Sequence, residues 1–476
     1  MSQITIVGMG PGGAQHLTRE AWQVLAGADE IWLRTLHHPG VEELPQRIKL
    51  FTFDAFYEEQ ETFEQVYRQI ATKVLALGKR EQGVIYAVPG HPLVGESAVL
   101  QILREAQVEG ISTQVVAGLS FIEPVLTALE IDALDGLQIM DALAVMALQH
   151  PPLNPDFPAL IGQIYNQTVA SELKMTLMNQ YPDEHEVVLV EEAGTGAQQL
   201  KRLSLYEVDR QPVGLLSALY VPSLPTYNCS FEVFQAIIAR LRAPGGCPWD
   251  RQQTHASLRD NLLEEAYEVL EAIDRGDEAA LQEELGDLLL QVGLHAQIAT
   301  EYGEFRMSDV IAGINAKLQH RHPHVWGEVE VEDVAEVHLT WEALKQQERE
   351  AKGQAARSLL DGVPKSLPAL AQAYTYGNRA RNVGFTLDIQ DLQRRVNEFL
   401  ASLDNAQPEL QTAQLGELLF SLVDWARLAE IDPESALREA NLQFAQRFQE
   451  LESVARQQGL PLAELRESEK VTLRPI

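Results

Sequence analysis

The chain has 476 residues, 45% of them hydrophobic and 22% charged, with a formal net charge of −32. Such a length accommodates roughly two to four domains with ample core. The charge excludes non-specific binding to DNA or RNA, whose phosphates would repel it, but not binding of a nucleotide carried with a divalent cation. The two cysteines, Cys229 and Cys247, set up no disulfide framework. No apolar run reaches membrane-spanning length, and no basic stretch precedes Ile4 to act as a signal. A cytoplasmic protein without a membrane partner is expected.

Short β-branched runs at 4–7, 83–88, 113–116, 186–190 and 214–221 alternate with amphipathic stretches, which predicts an α/β domain with a largely parallel sheet. The first run enters a glycine loop, Gly8-Met-Gly10-Pro11-Gly12-Gly13, and Thr18 then opens a helix. A glycine loop after a strand suits a nucleotide-like cofactor. NAD is disfavoured, because Asp29 and Glu30 precede the next strand, Ile31-Trp-Leu, whereas the dinucleotide fingerprint wants its acid after it. Arg34, Thr35 and His38 follow that strand and suit either a ligand or lobe packing. Two further loops again follow strands, Pro89-Gly90-His91-Pro92 and Ala117-Gly118-Leu119-Ser120.

The Pro-rich stretch at 221–226 reads as a linker, and the sequence beyond it is nearly all helical. Residues 261–275 read as a helix ended by Gly276, and a second helix follows from Leu281. Glu268 and Glu284 each lie eight residues from Gly276, and Glu265 and Asp287 each lie eleven. If the helices fold back antiparallel, equal distances from the turn meet at equal height. Each acidic pair is spaced i,i+3 and projects from one face. Four carboxylates then converge, which is costly unless a cation sits among them, and hard oxygen donors suit Mg²⁺ or Mn²⁺. Ordinary solvated acidic faces give the same local pattern. Leu262, Ala266, Val269 and Ile273, with Leu281, Leu285, Leu288 and Val292, are the predicted apolar stripes of the two helices. Glu264 points away from them.

Downstream, Lys317 and Arg321 are spaced i,i+4 and can reach one anion. Trp249, after Pro248, suits stacking on a nucleobase or closing the bundle core. His322 and His324 flank Pro323 and read as a helix stop. A weak repeat is present: Glu284-Leu-Gly-Asp287 recurs as Gln414-Leu-Gly-Glu417, and Asn315-Ala-Lys317 as Asn441-Leu-Gln443. The second copy has lost much of the acidic set.

Glu-Glu-x-x-Glu followed by Glu-x-x-Asp, with Gly246-Cys-Pro-Trp-Asp250 before and Lys317-Leu-Gln-His-Arg321 after, resembles the MazG family of nucleoside triphosphate pyrophosphohydrolases. The resemblance continues through Ser366-Leu-Pro-Ala-Leu and Asn382-Val-Gly-Phe385 and covers roughly residues 228–476 in a two-copy form. It implies an all-α fold that hydrolyses NTP to NMP and pyrophosphate with Mg²⁺. By position it makes Glu265, Glu268, Glu284 and Asp287 metal ligands, Glu264 a base or supporting residue, and Lys317 and Arg321 phosphate contacts. The three N-terminal loops resemble the tetrapyrrole methylase family, two-lobed α/β proteins that bind S-adenosylmethionine. That resemblance puts Gly8, Gly10, Pro11, Gly12, Pro89, Gly90, His91, Gly118 and Ser120 at the cofactor. Many members carry Gly-Asp-Pro where this chain has Gly90-His91-Pro92, so a tetrapyrrole substrate is not carried over.

The expected organisation is a methylase-like domain over 1–222, an acidic first helical repeat over 228–355 and an eroded second repeat over 356–476. The expected activity is metal-dependent NTP pyrophosphohydrolysis in a homodimer. The alternatives are an S-adenosylmethionine-dependent methyltransferase or sensor regulated by the helical part, and a purely structural helical module. The asymmetry between the two acidic sets disfavours the last.

Overall fold

The computed structural model describes residues 3–60, 62–214, 216–226, 228–327, 329–331, 333–351, 358–381, 383–384, 389–403 and 408–462. The chain divides into two compact units, Met1–Val310 and Ile311–Ile476.

The first unit opens with β1 (Gln3–Gly8), α1 (Arg19–Gly27), β2 (Glu30–Leu33), β3 (Lys49–Thr52), α2 (Asp54–Glu59), α3 (Phe63–Gly78), β4 (Val84–Val88), α4 (Ser97–Glu109) and β5 (Ser112–Val116). The strands form a parallel sheet in the order β3-β2-β4-β1-β5. Ile4, Ile6, Tyr86 and Val88 pack on one face against α3 and α4, and Val7, Ile31 and Leu33 pack with Ala21 and Leu25 of α1 on the other. Burial on both faces explains the short β-branched runs. Thr18 caps α1 by accepting from Ala21 N–H, at the start expected.

The second lobe contains α5 (Ile122–Leu129), β6 (Gln138–Asp141), α6 (Ala142–Met146), β7 (Ala159–Gly162), α7 (Gln167–Leu177), β8 (Glu186–Glu191), β9 (Gln199–Ser204) and β10 (Ser217–Val221). Its sheet, ordered β6-β7-β10-β8-β9, is mixed. Only β6 and β7 run parallel, while β10 pairs antiparallel with both neighbours and β8 antiparallel with β9. The expectation of a largely parallel sheet therefore holds for the first lobe and is corrected for the second. Four-residue strands such as β6 and β7 carry too little periodicity to read.

The change to helix falls where the linker was expected, between β10 and α8 (Phe231–Arg242). The junction is pinned: Asp156 accepts from Cys229 N–H and Ser230 N–H, both at 3.0 Å, and the Ser230 hydroxyl foremost, then these two bonds, hold its carboxyl down at about 2. After α8 come α9 (Pro248–Gln252), α10 (Arg259–Arg275) and α11 (Glu278–Tyr302). The small core here is Ile238, Leu258, Leu294 and Ile298.

Next are α12 (Met307–Arg321), α13 (Pro323–Trp326) and α14 (Val334–Ala351), with His322 at the break between α12 and α13 as expected. The chain continues through α15 (Ala369–Arg381), α16 (Ile389–Leu403), α17 (Pro408–Leu428) and α18 (Pro433–Gln458). The α16–α17 hairpin carries the stretch, Gln414-Leu-Gly-Glu417, in which the sequence suggested a second copy of the α10–α11 hairpin. Asn382 and Phe385 of the repeat motif lie outside the described residues.

Candidate functional sites

The α10–α11 hairpin is closed by Gly276 at φ +62°, a left-handed cap whose N–H meets the carbonyls of Ala272 and Ile273. Asp277 caps α11 by accepting from Ala280 N–H at 3.1 Å. This tight turn delivers the symmetric pairing. Ligand oxygens of Glu265, Glu268 and Glu284 lie within 4.8 Å of one another. Asp287 joins them electrostatically, acting on both Glu265 and Glu284. Partial loss of water, then the charges of Asp287 and Glu268, push the Glu265 carboxyl up. Glu284 is pushed up in the same way, with Glu268 and then Glu283 the leading carboxylates. Among the described residues no Lys or Arg forms an ion pair with any of the four.

Gln291, one turn beyond Asp287 and 4% exposed, offers the hairpin's neutral polar contact, donating from Nε2 to Glu265 Oε1 at a long 3.4 Å. The sequence reading missed it, although its i,i+4 spacing from Asp287 is visible. Clustered carboxylates that, among the described residues, meet an amide and no cation fit a divalent cation with oxygen ligands. Glu264 is exposed.

The second hairpin shows the contrast. Glu417 pairs with Arg395, and Glu398 with Arg394 at 3.8 Å, so these two acids are answered by cations of the protein.

Two residues of the helical part, Trp249 and Arg321, narrow what the sequence left open. Trp249 is 56% exposed and closes no core. It stands in the short helix α9, not in a loop, and that helix is held by Arg242, which donates to the carbonyl of Asp250 and grips Glu301 through two bonds of 2.9 and 2.8 Å. Arg321 is committed to Glu348 of α14 by bonds of 3.0 and 2.6 Å and lies over Trp341, so it is not presented with Lys317 as a free cation pair. Lys317 itself is exposed. The apolar stripes are not buried in the described chain either: Leu262, Ile273, Leu285 and Val292 are 37%, 54%, 49% and 40% exposed. The hairpin is buried elsewhere, through Ala272 and the second half of α11.

In the first lobe the three glycine loops converge. Gly10 and Gly90 form a two-bond bridge, Gly10 N–H to Gly90 O at 3.2 Å and Gly90 N–H to Gly10 O at 2.8 Å, and both have positive φ. A Cβ on Gly118 would sit 2.4 Å from Gly90 O and 2.8 Å from the Gly8 carbonyl carbon, so side chains are excluded by backbone contact. Gly8, Gly10, Gly90 and Gly118 thus come together at the carboxyl ends of β1, β4 and β5, where an open α/β sheet binds ligands.

Ser120 is 3% exposed and locally engaged: its hydroxyl donates to Glu123 Oε2 at 2.7 Å and accepts from Ile122 N–H at 3.0 Å. His91 Nδ1 accepts from Leu93 N–H at 3.0 Å, which holds the loop in shape. Buried His38 accepts at Nδ1 from Gly40 N–H, so its Nε2 carries the proton and donates to Gly10 O at 2.8 Å. Burial, opposed in part by that bond, lowers its pKa and keeps it neutral. His38 therefore braces the glycine loop.

An N-terminal two-lobed α/β domain with converging glycine loops, followed by a helical region with one acidic hairpin, defines a fused protein class. The profile of the tetrapyrrole (corrin/porphyrin) methylases matches residues 3–209, and that of the MazG nucleotide pyrophosphohydrolase domain matches residues 253–326. The chain belongs to the family in which these two domains are fused. It is 40% identical over 474 residues to the uncharacterized protein YabN of Bacillus subtilis, covering 97% of this chain and 96% of that protein. It is 42% identical over 237 residues to the nucleoside triphosphate pyrophosphohydrolase/pyrophosphatase MazG of Thermotoga maritima, covering 49% of this chain and 90% of that protein. Over 236 residues it is 42% identical to the nucleoside triphosphate pyrophosphohydrolase of Escherichia coli, covering 48% and 88%.

Proposed function

We propose that this protein is a metal-dependent nucleoside triphosphate pyrophosphohydrolase, converting NTP and water to NMP and pyrophosphate at the α10–α11 hairpin. The observation that carries this reading is the cluster of Glu265, Glu268 and Glu284, with Asp287 acting on it electrostatically, whose like charges are brought together with no Lys or Arg among the described residues paired to them. The four would hold Mg²⁺ or Mn²⁺, which supplies neutralisation of the triphosphate and a lower pKa for bound water. Glu264, exposed at the same turn of α10, is the candidate to take a proton from that water. Trp249, open to solvent on the braced helix α9, is the candidate platform for the base. Lys317 is assigned to phosphate by its motif. Arg321 would reach phosphate only by leaving Glu348.

The same reading includes the domain limits 1–222, 228–355 and 356–476, with the second repeat structural. It includes a cytoplasmic homodimer, supported by the open apolar face of the hairpin. No helix among the described residues is long and apolar enough to cross a membrane.

A second reading has its own support. The bridged glycines of the first lobe form a main-chain cradle that suits S-adenosylmethionine, with Pro11, Gly12, Pro89, His91 and Ser120 at its rim. Methyl transfer or sensing there would be additional to hydrolysis. The test for hydrolysis is release of pyrophosphate and NMP from a panel of NTPs and dNTPs, with Mg²⁺ and with chelator. Release that needs metal and disappears in Glu268→Gln is expected, and turnover that persists in that variant sinks the reading. Saturable heat on titrating S-adenosylmethionine tests the second.

A further inference from the structure

The α10–α11 hairpin brings like charges together, so its two helices need to be held at a fixed spacing. At the turn end the caps made by Gly276 and Asp277 do this. Further along, packing is thin. Between Leu258, its N-cap, and Ala272, near the turn, α10 buries no residue, and Glu265 and Glu268 stand in that span. Leu258 also offers no side-chain cap to the helix it starts.

The end away from the turn is fastened by two histidines that neither reading uses. His255 lies in the segment between α9 and α10, and His295 lies two turns beyond Asp287 on α11. They meet Nδ1 to Nδ1 at 2.7 Å. The ring planes are 4° apart and the centroids 5.0 Å apart. Rings so placed lie edge to edge in one plane, not face to face, and the lone pair of one nitrogen points along the N–H of the other. Glu284, Asp287, Gln291 and His295 are spaced i,i+3 and then i,i+4 twice, so the acidic face of α11 runs on through an amide to this imidazole.

One proton lies between the two nitrogens, because two bare nitrogens or two N–H groups would repel. His255 Nε2 faces Glu304 Oε2 at 3.8 Å, which places a proton on that nitrogen. His255 then accepts at Nδ1, and His295 donates from its own. Burial, then the neighbouring His255, lowers the pKa of His295 and keeps it neutral. The segment carrying His255 is stiff. Thr254 N–H donates to Ser257 Oγ at 2.9 Å, Ser257 N–H donates to Thr254 Oγ1 at 3.1 Å, and Leu258 beside them is fully buried. A displacement of His255 therefore carries into the first turn of α10.

We infer that His255 and His295 are positioning residues, whose shared proton clamps the start of α10 to α11 against the repulsion of the carboxylates and so sets the spacing at which these receive a cation. The inference rests on the metal-dependent hydrolase reading and adds to it the part of the hairpin that holds the ligands in register.

Nitrogen NMR of the full chain tests the clamp itself. His295 is expected as the Nδ1–H tautomer and His255 with a bare Nδ1, and finding both rings as the Nε2–H tautomer overturns the inference. Mn²⁺ binding without nucleotide, read from the free-ion EPR signal, tests its effect. Affinity is expected to fall about tenfold in His295→Phe, the lower end for losing a supporting contact around a metal site. His255→Phe, at an exposed position, is expected to lose as much, and the double variant no more than either. In turnover the loss is expected in the Mg²⁺ concentration required, with kcat largely restored at saturating Mg²⁺. Wild-type Mn²⁺ affinity in both single variants, or losses that add in the double variant, overturns the clamp and leaves the hydrolase reading standing. Absence of Mn²⁺ binding by the wild type overturns both.

Discussion

Replacing Glu268 by Gln should have two opposite effects, and their combination is diagnostic. Its carboxylate lies within 4.8 Å of one on Glu265. Two unit charges at that separation repel by about 1 kcal/mol at the dielectric of water, and physiological salt reduces this to roughly 0.5 kcal/mol. Without metal, the variant should therefore be more stable than wild type, by about 1 °C in Tm for a unit of this size. With Mg²⁺ the order should invert, since wild type gains the binding free energy and the variant has lost a ligand. Turnover should fall at least about a hundredfold. The assay is thermal unfolding of both proteins in chelator and in a Mg²⁺ series, read beside pyrophosphate release. A variant that melts below wild type in chelator, yet gains as much from Mg²⁺, would refute the account of the quartet as a repulsive set relieved by a cation.

Trp249→Ala should raise KM for nucleotide by roughly tenfold, the order of one base–aromatic stack, while leaving the far-ultraviolet spectrum unchanged because the ring is already 56% exposed. His38 has a depressed pKa, so its contribution to stability is present above the ordinary value of 6.5 and is lost as pH falls through the folded value. Unfolding midpoints across pH 7 to 5 should show that loss in wild type and a flatter profile in His38→Gln, and nitrogen NMR should find the Nε2–H tautomer. Leu285→Lys places a charge on the open apolar face of α11 and should shift sedimentation towards monomer; an unchanged sedimentation profile removes that face from the dimer proposal.

The acidic hairpin was legible because its information is local. Gly276 fixes the turn, and equal spacing on either side fixes the register, so the convergence of Glu265, Glu268 and Glu284 follows from counting, while Asp287 joins them only electrostatically. The glycine loops were legible for a related reason, since each follows a strand of the first lobe. What failed to show was set by partners distant in sequence. Glu348 lies 27 residues from Arg321 and neutralises a cation that looked available. Arg34 and Glu96 are joined across the sheet, and nothing near either residue announces the other. The stripes of α10 and α11 have the period of a buried face, but periodicity records that a helix has an apolar side without recording whether the same chain covers it. In the second lobe, β9 alternates weakly and carries Lys201 and Arg202, so it reads as loop until β8 pairs with it.

The contact of Gly8, Gly90 and Gly118 is made of main-chain atoms. A seat built that way is indifferent to most side-chain changes around it. Position 91 can exchange a carboxylate for an imidazole, and the rim can be refitted for another guest, without disturbing the cradle itself. Holding a cofactor and spending it are then independent traits, and a lineage could discard the reaction while keeping the ability to register that the cofactor is present.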